Sequence, residues 1–160
     1  MSTKTSHTRT TISDSSATTQ SAAERSLQLA LAAARTAEDN RGQDIVVLDM
    51  REITPVFDYF VLITGNSRRQ LHAISEEIDH CLEDELSDKR MGIEGYRESR
   101  WILLDYGTVV IHIFDEEMRE YYALEQFWNQ ATRVPLPWSP DPSQQDPTQQ
   151  DPRPDEGASE

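Results

Sequence analysis

Three short runs of branched and aromatic residues constrain the fold of this chain most strongly. They occupy residues 44–49, 57–64 and 108–114 and are rich in Val, Ile, Leu and Phe. Residues of these types favour β-strands, and runs of this length are typical of strands rather than helices. Because the apolar residues follow one another with little polar interruption, we expect strands that are covered on both faces.

Two further segments repeat apolar residues at helical spacing, and each begins with a capping box. In the box, a Ser side chain bonds an amide three residues on, and a Glu or Gln side chain reaches back. The first box is Ser21-Ala-Ala-Glu24 and the second is Ser67-Arg-Arg-Gln70. Behind them come the apolar stripes Leu27, Ala30, Leu31, Ala34 and Leu71, Ile74, Ile78, Leu82. These patterns predict a helix from Ser21 and another from Ser67.

The last third of the chain predicts a hairpin and a helix. Trp101-Ile-Leu-Leu-Asp105 and residues 108–114 flank a Tyr106-Gly107 turn, with a shorter strand expected near residues 93–96. Asp115 caps a final helix whose apolar side comprises Met118, Tyr121, Leu124 and Trp128. The order of elements predicts one α+β domain, in which helices pack on a mixed sheet.

The two ends of the chain differ from its middle. Residues 1–20 are almost all small and polar, and residues 135–160 are rich in Pro, Gln and Asp. Such segments bury too little apolar surface to offset the entropy of ordering. We therefore expect disordered tails at 1–20 and 135–160 around a folded domain at 21–134.

Charge and composition exclude several classes of function. The net charge of -14 opposes direct binding to nucleic acid, because phosphates are captured by Lys and Arg. One cysteine, Cys81, allows no internal disulfide, and no apolar run is long enough to span a bilayer. These features favour a cytoplasmic protein with a basic partner. Residues 1–13 loosely resemble an organellar transit peptide, and we interpret them as a tail.

Three groups of residues could form a metal site, a phosphate site or a catalytic site. His72, Glu76, His80 and Asp84 share one helical face, and a solvent-facing stripe explains that spacing better than a metal site. The Gly65-Asn-Ser67 turn could receive a phosphate at a helix start, but no pair of acids follows it to hold magnesium. His112 lies among apolar residues with no nucleophile in a recognisable setting, which indicates a structural histidine. We expect no cofactor, no metal and no catalytic residue.

The hairpin is the segment that most suggests a binding surface. In a strand, Trp101, Leu103 and Asp105 point to one face, whereas Ile102, Leu104 and Tyr106 point to the other. Trp101 is either a large core residue or an exposed aromatic anchor beside a carboxylate. The second arrangement is typical of binding hot spots and suits a basic partner.

Together these motifs resemble the ribosomal silencing factor (RsfS/Iojap) family over roughly residues 24–131. The resemblance rests on residues 44–49, 57–67, 69–70, 94–96, 101–107, 110–114 and 119–128, in family order. It implies a nucleotidyltransferase-like fold that lacks the catalytic acids. It further implies binding to the large ribosomal subunit through its protein number fourteen, which would block the small subunit and repress translation when nutrients are scarce.

The resemblance also places the partner surface on particular residues. They are Trp101, Leu103, Asp105 and Tyr106, together with Asp58 and Arg97. One departure is Thr108, which stands where many members carry an acid. Two other hypotheses remain open: a nucleotidyltransferase-like enzyme or nucleotide-binding protein that uses Gly65–Ser67, and a homodimer that self-associates through the Trp101 face.

Overall fold

The computed structural model describes residues 14–139, which form a six-stranded mixed sheet with helices on both faces. The helices are α1 (Asp14–Asp39), α2 (Arg68–Asp79), α3 (Glu116–Tyr122) and α4 (Leu124–Phe127), and a π-helical segment, His80–Glu85, continues α2. The strands are β1 (Gln43–Asp49), β2 (Tyr59–Gly65), β3 (Gly92–Glu94), β4 (Trp101–Asp105), β5 (Val109–Asp115) and β6 (Thr132–Arg133). The predicted α+β class with a mixed sheet is confirmed.

The strand order is β3-β4-β5-β2-β1-β6. The two central strands, β2 and β5, are parallel, and every other pair is antiparallel. All residues of β2 are buried, as its apolar run predicts. In contrast, β1 is only partly buried, because β6 pairs with just two of its residues, Leu48 and Asp49.

The alternation of side chains divides the core into two layers. On one face, α1 and α2 pack against residues such as Val61, Ile63, Ile102 and Ile111. On the other face lies a second cluster, which contains Leu48, Met50, Phe60, Leu62, Val110 and Phe114. Residues of α3, α4 and the segment after them pack on this second cluster.

The second predicted box forms in part, since Ser67 caps the helix but Gln70 reaches back to the residue before it; the first box does not form. Ser67 Oγ accepts a hydrogen bond from the Gln70 backbone N–H at 3.1 Å, and Gln70 Oε1 accepts one from the Asn66 N–H at 2.6 Å. At the other site, α1 already begins at Asp14, so Ser21 lies inside the helix. The stretch between these two residues contains no Gly or Pro that would stop a helix.

Both predicted domain boundaries differ from the structure. Residues 14–20 are helical, although they were assigned to the N-terminal tail. Past residue 134, Leu136 and Trp138 still pack against the α1–α2 layer, and Val134 N–H donates to Val47 O at 2.8 Å. The remaining tail residues, 1–13 and 140–160, lie outside the described part of the chain.

The final helix is also shorter than predicted. Ala123 adopts a left-handed conformation with φ 43° and separates α3 from α4. Tyr121, in the last turn of α3, is 77% exposed rather than part of the predicted apolar side. Met118, Leu124 and Trp128 do pack on the second cluster.

Candidate functional site: an aromatic face over β4

The second face of the sheet is covered unevenly. Helix α3 packs against β5 and β2, and Trp128 packs on Phe60 with ring centroids 6.3 Å apart. The outer residues of β4 on this face, Trp101 and Leu103, remain half-buried. Apolar side chains therefore reach the surface where β4 carries no complete covering layer.

Trp101 is held rigidly although part of it is exposed. Its ring stacks on Phe114, with centroids 5.0 Å apart, and lies 4.7 Å from the ring of Tyr122. Its indole Nε1–H donates a hydrogen bond to His112 Nδ1 at 3.2 Å. The three contacts come from β5 and α3, so two elements fix the indole in one orientation.

The exposed tyrosines of α3 enlarge this surface. Tyr122 is 45% exposed, and its ring lies 5.1 Å from that of Tyr121. We call Trp101, Leu103, Tyr121 and Tyr122 the aromatic face. Tyr and Trp give large contact areas at a low cost in conformational entropy, and they are enriched at protein interfaces.

Two acids lie at the β4–β5 turn, which is at the opposite end of β4 from Trp101; Leu103 lies between Trp101 and Asp105 on the same face. Asp105 Oδ1 accepts a hydrogen bond from the Gly107 backbone N–H at 2.8 Å, which supports the turn. Asp58 reaches the same turn through its own N–H, which donates to Thr108 O at 2.7 Å. Both acidic residues are half-buried. Carboxylates at the edge of an aromatic surface favour a cationic partner.

Two of the predicted site residues do not belong to this surface. Tyr106 is only 4% exposed and lies on the α1–α2 side, where its hydroxyl donates to Asp79 Oδ1 at 2.6 Å. Burial raises the pKa of the Tyr106 hydroxyl. Arg97 is exposed, but its carbonyl accepts a bond from Arg68 of α2, which packs on the opposite face. We therefore remove both residues from the candidate surface.

The sequence interpretation missed Tyr122 and the role of His112. Tyr122 was not assigned to the apolar side of the final helix, and its contact with Trp101 joins residues that are far apart in sequence. His112 was assigned a satisfied structural role, yet its Nε2 atom is buried without a hydrogen-bond partner. The sequence did indicate the position of His112, because period-two alternation along the strand places it on the same face as Val110 and Phe114.

The Gly65–Ser67 turn has a structural explanation. A Cβ on Gly65 would lie 2.5 Å from Leu71 Cδ1, so only glycine allows the close contact between β2 and α2. The adjoining depression is lined by Asp115, Glu116, Glu117 and Glu120 together with Arg68, and Arg100 pairs with Asp115 and Glu117. The acids outnumber these two cations, so the local charge disfavours a phosphate group.

The polar stripe of α2 is mostly engaged in contacts. His72 Nε2 lies 2.8 Å from Tyr96 O and the two rings stack at 4.2 Å, while Glu76 accepts from the Tyr96 hydroxyl at 2.7 Å. His80 Nδ1 pairs with Asp84 at 2.7 Å. The expectation of a purely solvent-facing stripe is therefore wrong for His72, which is partly buried, whereas Glu76 and His80 are exposed as expected. His72 and Glu76 attach the loop before β4 to α2.

Within residues 14–139, no three His, Cys, Asp or Glu side chains are grouped as metal ligands. No helix in that same range combines the length and the apolar character needed to cross a membrane.

Comparison with known proteins identifies the family. Residues 23–160 match the family model described as "Ribosomal silencing factor during starvation". The chain is 45% identical to ribosomal silencing factor RsfS of Bacillus subtilis (strain 168) over 105 residues, which cover 65% of this chain and 87% of that protein. It is 35% identical over 88 residues to a Mus musculus protein named "Mitochondrial assembly of ribosomal large subunit protein 1", covering 54% of this chain and 39% of that one.

A solved structure supports the same assignment. Protein CV0518 from Chromobacterium violaceum superposes with a TM-score of 0.62 at 29% sequence identity, covering 71% of this chain and 92% of that one. The resemblance to the RsfS/Iojap family seen in the motifs is confirmed, and the relatives carry names of a regulatory rather than a catalytic role. The chain therefore belongs to the ribosomal silencing factor (RsfS) family.

Proposed function

We propose that this chain is a non-catalytic silencing factor of the bacterial cytoplasm that docks on the large ribosomal subunit at its protein number fourteen. Docking there would occupy surface needed by the small subunit and so prevent the two from joining. The observation that carries the proposal is the aromatic face, with the half-exposed Trp101 at one end of β4 and with Asp105 and Asp58 at the turn beyond the other end. The surface would bind through Trp101, Leu103, Tyr122 and Asp105.

The shape of this surface favours a protein partner. Trp101 and Tyr122 contact each other and are supported from below by Phe114, so little side-chain entropy remains to be lost on binding. Rigid aromatic side chains of this kind dominate the energetics of many interfaces. Tyr121, which is 77% exposed, extends the apolar area that a partner could cover.

Charge favours a basic protein over RNA. The whole chain carries -14, and residues 135–160 contribute six acids and one base, so the remainder is also acidic. Ribosomal RNA repels such a domain, and the repulsion is screened only beyond about 8 Å at physiological salt. Specific docking therefore requires a basic protein patch, which Asp105 and Asp58 are placed to meet.

The name of the mouse relative is consistent with this partner. That protein is named for assembly of the ribosomal large subunit. The B. subtilis relative is named a silencing factor. A factor that binds the large subunit and obstructs its joining surface would account for both names by one contact.

Charge reversal at Asp105 tests the proposed surface. Asp105→Arg should weaken binding to purified large subunits about tenfold or more, because it places a cation against a basic patch. Asp105→Asn retains an acceptor for the Gly107 N–H and should weaken binding less. Affinity is measured by titrating large subunits into fluorescently labelled chain.

Glu38→Arg is the matched control. Glu38 is exposed on α1, which packs on the opposite face of the sheet, and the substitution changes the charge equally. Its affinity should remain within about twofold of wild type, since single surface charges away from the contact contribute little. Equal binding by Asp105→Arg and wild type, with both folded, would show that the surface is wrongly assigned.

Self-association through the aromatic face is the competing arrangement. Light scattering at several concentrations separates the two, because a homodimer that buries Trp101 would form without ribosomes. A dimer that dissociates as large subunits are added would place both contacts on one surface.

A further inference from the structure

The indole of Trp101 uses its one polar atom inside the molecule. Its Nε1–H, the side chain's only donor, bonds to His112 Nδ1 at 3.2 Å. The two residues lie on neighbouring strands, since His112 pairs in register with Leu103 of β4. The N–H of the Trp101 indole therefore already has a hydrogen-bond partner inside the protein.

This contact fixes the tautomer of His112. Because Nδ1 accepts the indole hydrogen, the proton of the neutral ring must lie on Nε2. Nε2 is buried without a partner, and the side chain is 5% exposed among the rings of Phe60, Phe114 and Trp101. An unsatisfied buried N–H is destabilising, so an apolar side chain would suit this position better for packing alone.

The hydrogen bond that His112 Nδ1 accepts from Trp101 compensates for this destabilisation. His112 supplies the acceptor for the N–H edge of the indole, while Phe114 and Tyr122 contact the indole ring. We propose that His112 is a positioning residue, which sets the orientation of Trp101 and removes its N–H from the surface. The inference rests on the proposed function of the aromatic face.

The arrangement also specifies what the face can bind. With its N–H occupied, Trp101 offers a partner only its π surface and its apolar edge. Such a surface receives an Arg or Lys side chain, or an aliphatic stem, and does not serve a carbonyl or carboxylate acceptor. Asp105 and Asp58, at the turn beyond the other end of β4, favour a basic partner for the surface as a whole.

Two substitutions at position 112 separate the acceptor from the ring. His112→Asn retains an acceptor near the position of Nδ1 but removes the ring. His112→Phe retains an aromatic ring but removes the acceptor. We expect His112→Phe to bind large subunits about three- to tenfold more weakly than wild type, corresponding to the loss of one hydrogen bond, and His112→Asn to bind more tightly than His112→Phe.

The indole resonance reports the positioning directly. In the ¹H–¹⁵N spectrum of the free chain, the Trp101 Nε1–H signal, assigned with a Trp101→Phe variant, should move in His112→Phe and remain near its wild-type position in His112→Asn. Ile111→Val, a β5 change in the α1–α2 layer, controls for general destabilisation and should shift neither the resonance nor the affinity. If His112→Asn does not fold, the comparison of His112→Phe with Ile111→Val still decides the matter.

The possible failures are distinguishable. If wild-type chain does not bind large subunits, the proposed function fails, and the role assigned to His112 in binding fails with it. If wild type binds and His112→Phe binds equally well with an unmoved indole resonance, the inference about His112 is overturned while the proposed function stands. An indole resonance that moves without any change in affinity would also contradict it.

Discussion

The buried ring of His112, which contacts Trp101 of the aromatic face, makes the stability of the fold depend on pH. Burial and, less strongly, the nearby cation of Arg119 lower the pKa of His112 to about 4, compared with about 6.5 for a free histidine. The folded chain therefore keeps this ring neutral in a range where the unfolded chain takes up a proton. Its contribution to stability is complete above about pH 6.5 and is lost progressively as the pH falls to about 4.

The resulting prediction concerns the free energy of unfolding. Between pH 7 and pH 4.5, titration of His112 should remove about 2–3 kcal/mol of stability from wild type. His112→Phe lacks this group, so its stability should fall less over the same range. Urea unfolding of both proteins at several pH values measures the difference, and the other titrating groups are common to both. Two parallel stability curves would contradict the assignment.

At the level of single residues, the sequence predicted the surface only in part. Strand alternation correctly placed Trp101, Leu103 and Asp105 on one face, because that rule depends only on backbone geometry. The same rule placed Tyr106 on the opposite face, and the structure accounts for it through the bond to Asp79. The hydrogen bond between Trp101 and His112 depends on strand register, which local sequence does not determine.

The break between α3 and α4 is the element that shapes the outer face. Arg119, whose side chain is 10% exposed, donates to Thr64 Oγ1 at 3.0 Å and to Asp44 O at 2.8 Å. It also pairs with Glu125 of α4 at 2.7 Å. One side chain thus connects both helices to the ends of β1 and β2, and this connection fixes α3, which carries Tyr122.

Removal of this guanidinium should loosen α3. Arg119→Met should destabilise the fold by about 2–4 kcal/mol, because a buried charge network loses a partner and leaves acceptors unpaired. Arg133→Met is the control: Arg133 pairs with the other oxygen of Glu125 but is 65% exposed, so its removal should change stability by less than about 1 kcal/mol. Denaturant unfolding measures both. Similar effects of the two substitutions would contradict the role given to Arg119.

Two elements were predicted correctly from local sequence patterns: the cap at Ser67 and the hairpin of β4 and β5. In both, the interacting residues are close in sequence. The left-handed Ala123 and the strand β6 were missed. Strand β6 depends on contacts distant in sequence, because Thr132 and Arg133 pair with Asp49 and Leu48 of β1.

At the scale of the whole molecule, the two faces of the sheet differ in how completely they are covered. The α1–α2 layer is continuous and buries Val61, Ile63 and Ile111, so it provides the stable core. The other layer is incomplete over β4 and leaves the aromatic face partly exposed there. The element order was sufficient to predict an α+β domain, but the sequence could not show which side of the sheet would remain partly open.

The central claim is that this chain prevents subunit joining by binding the large subunit. Purified large and small subunits are mixed with and without the chain under conditions that permit joining, and the products are separated on a sucrose gradient. We predict that the chain sediments with the large subunit and that the peak of joined particles declines as its concentration rises. A chain that stays at the top of the gradient, or an unchanged peak of joined particles, would contradict the account.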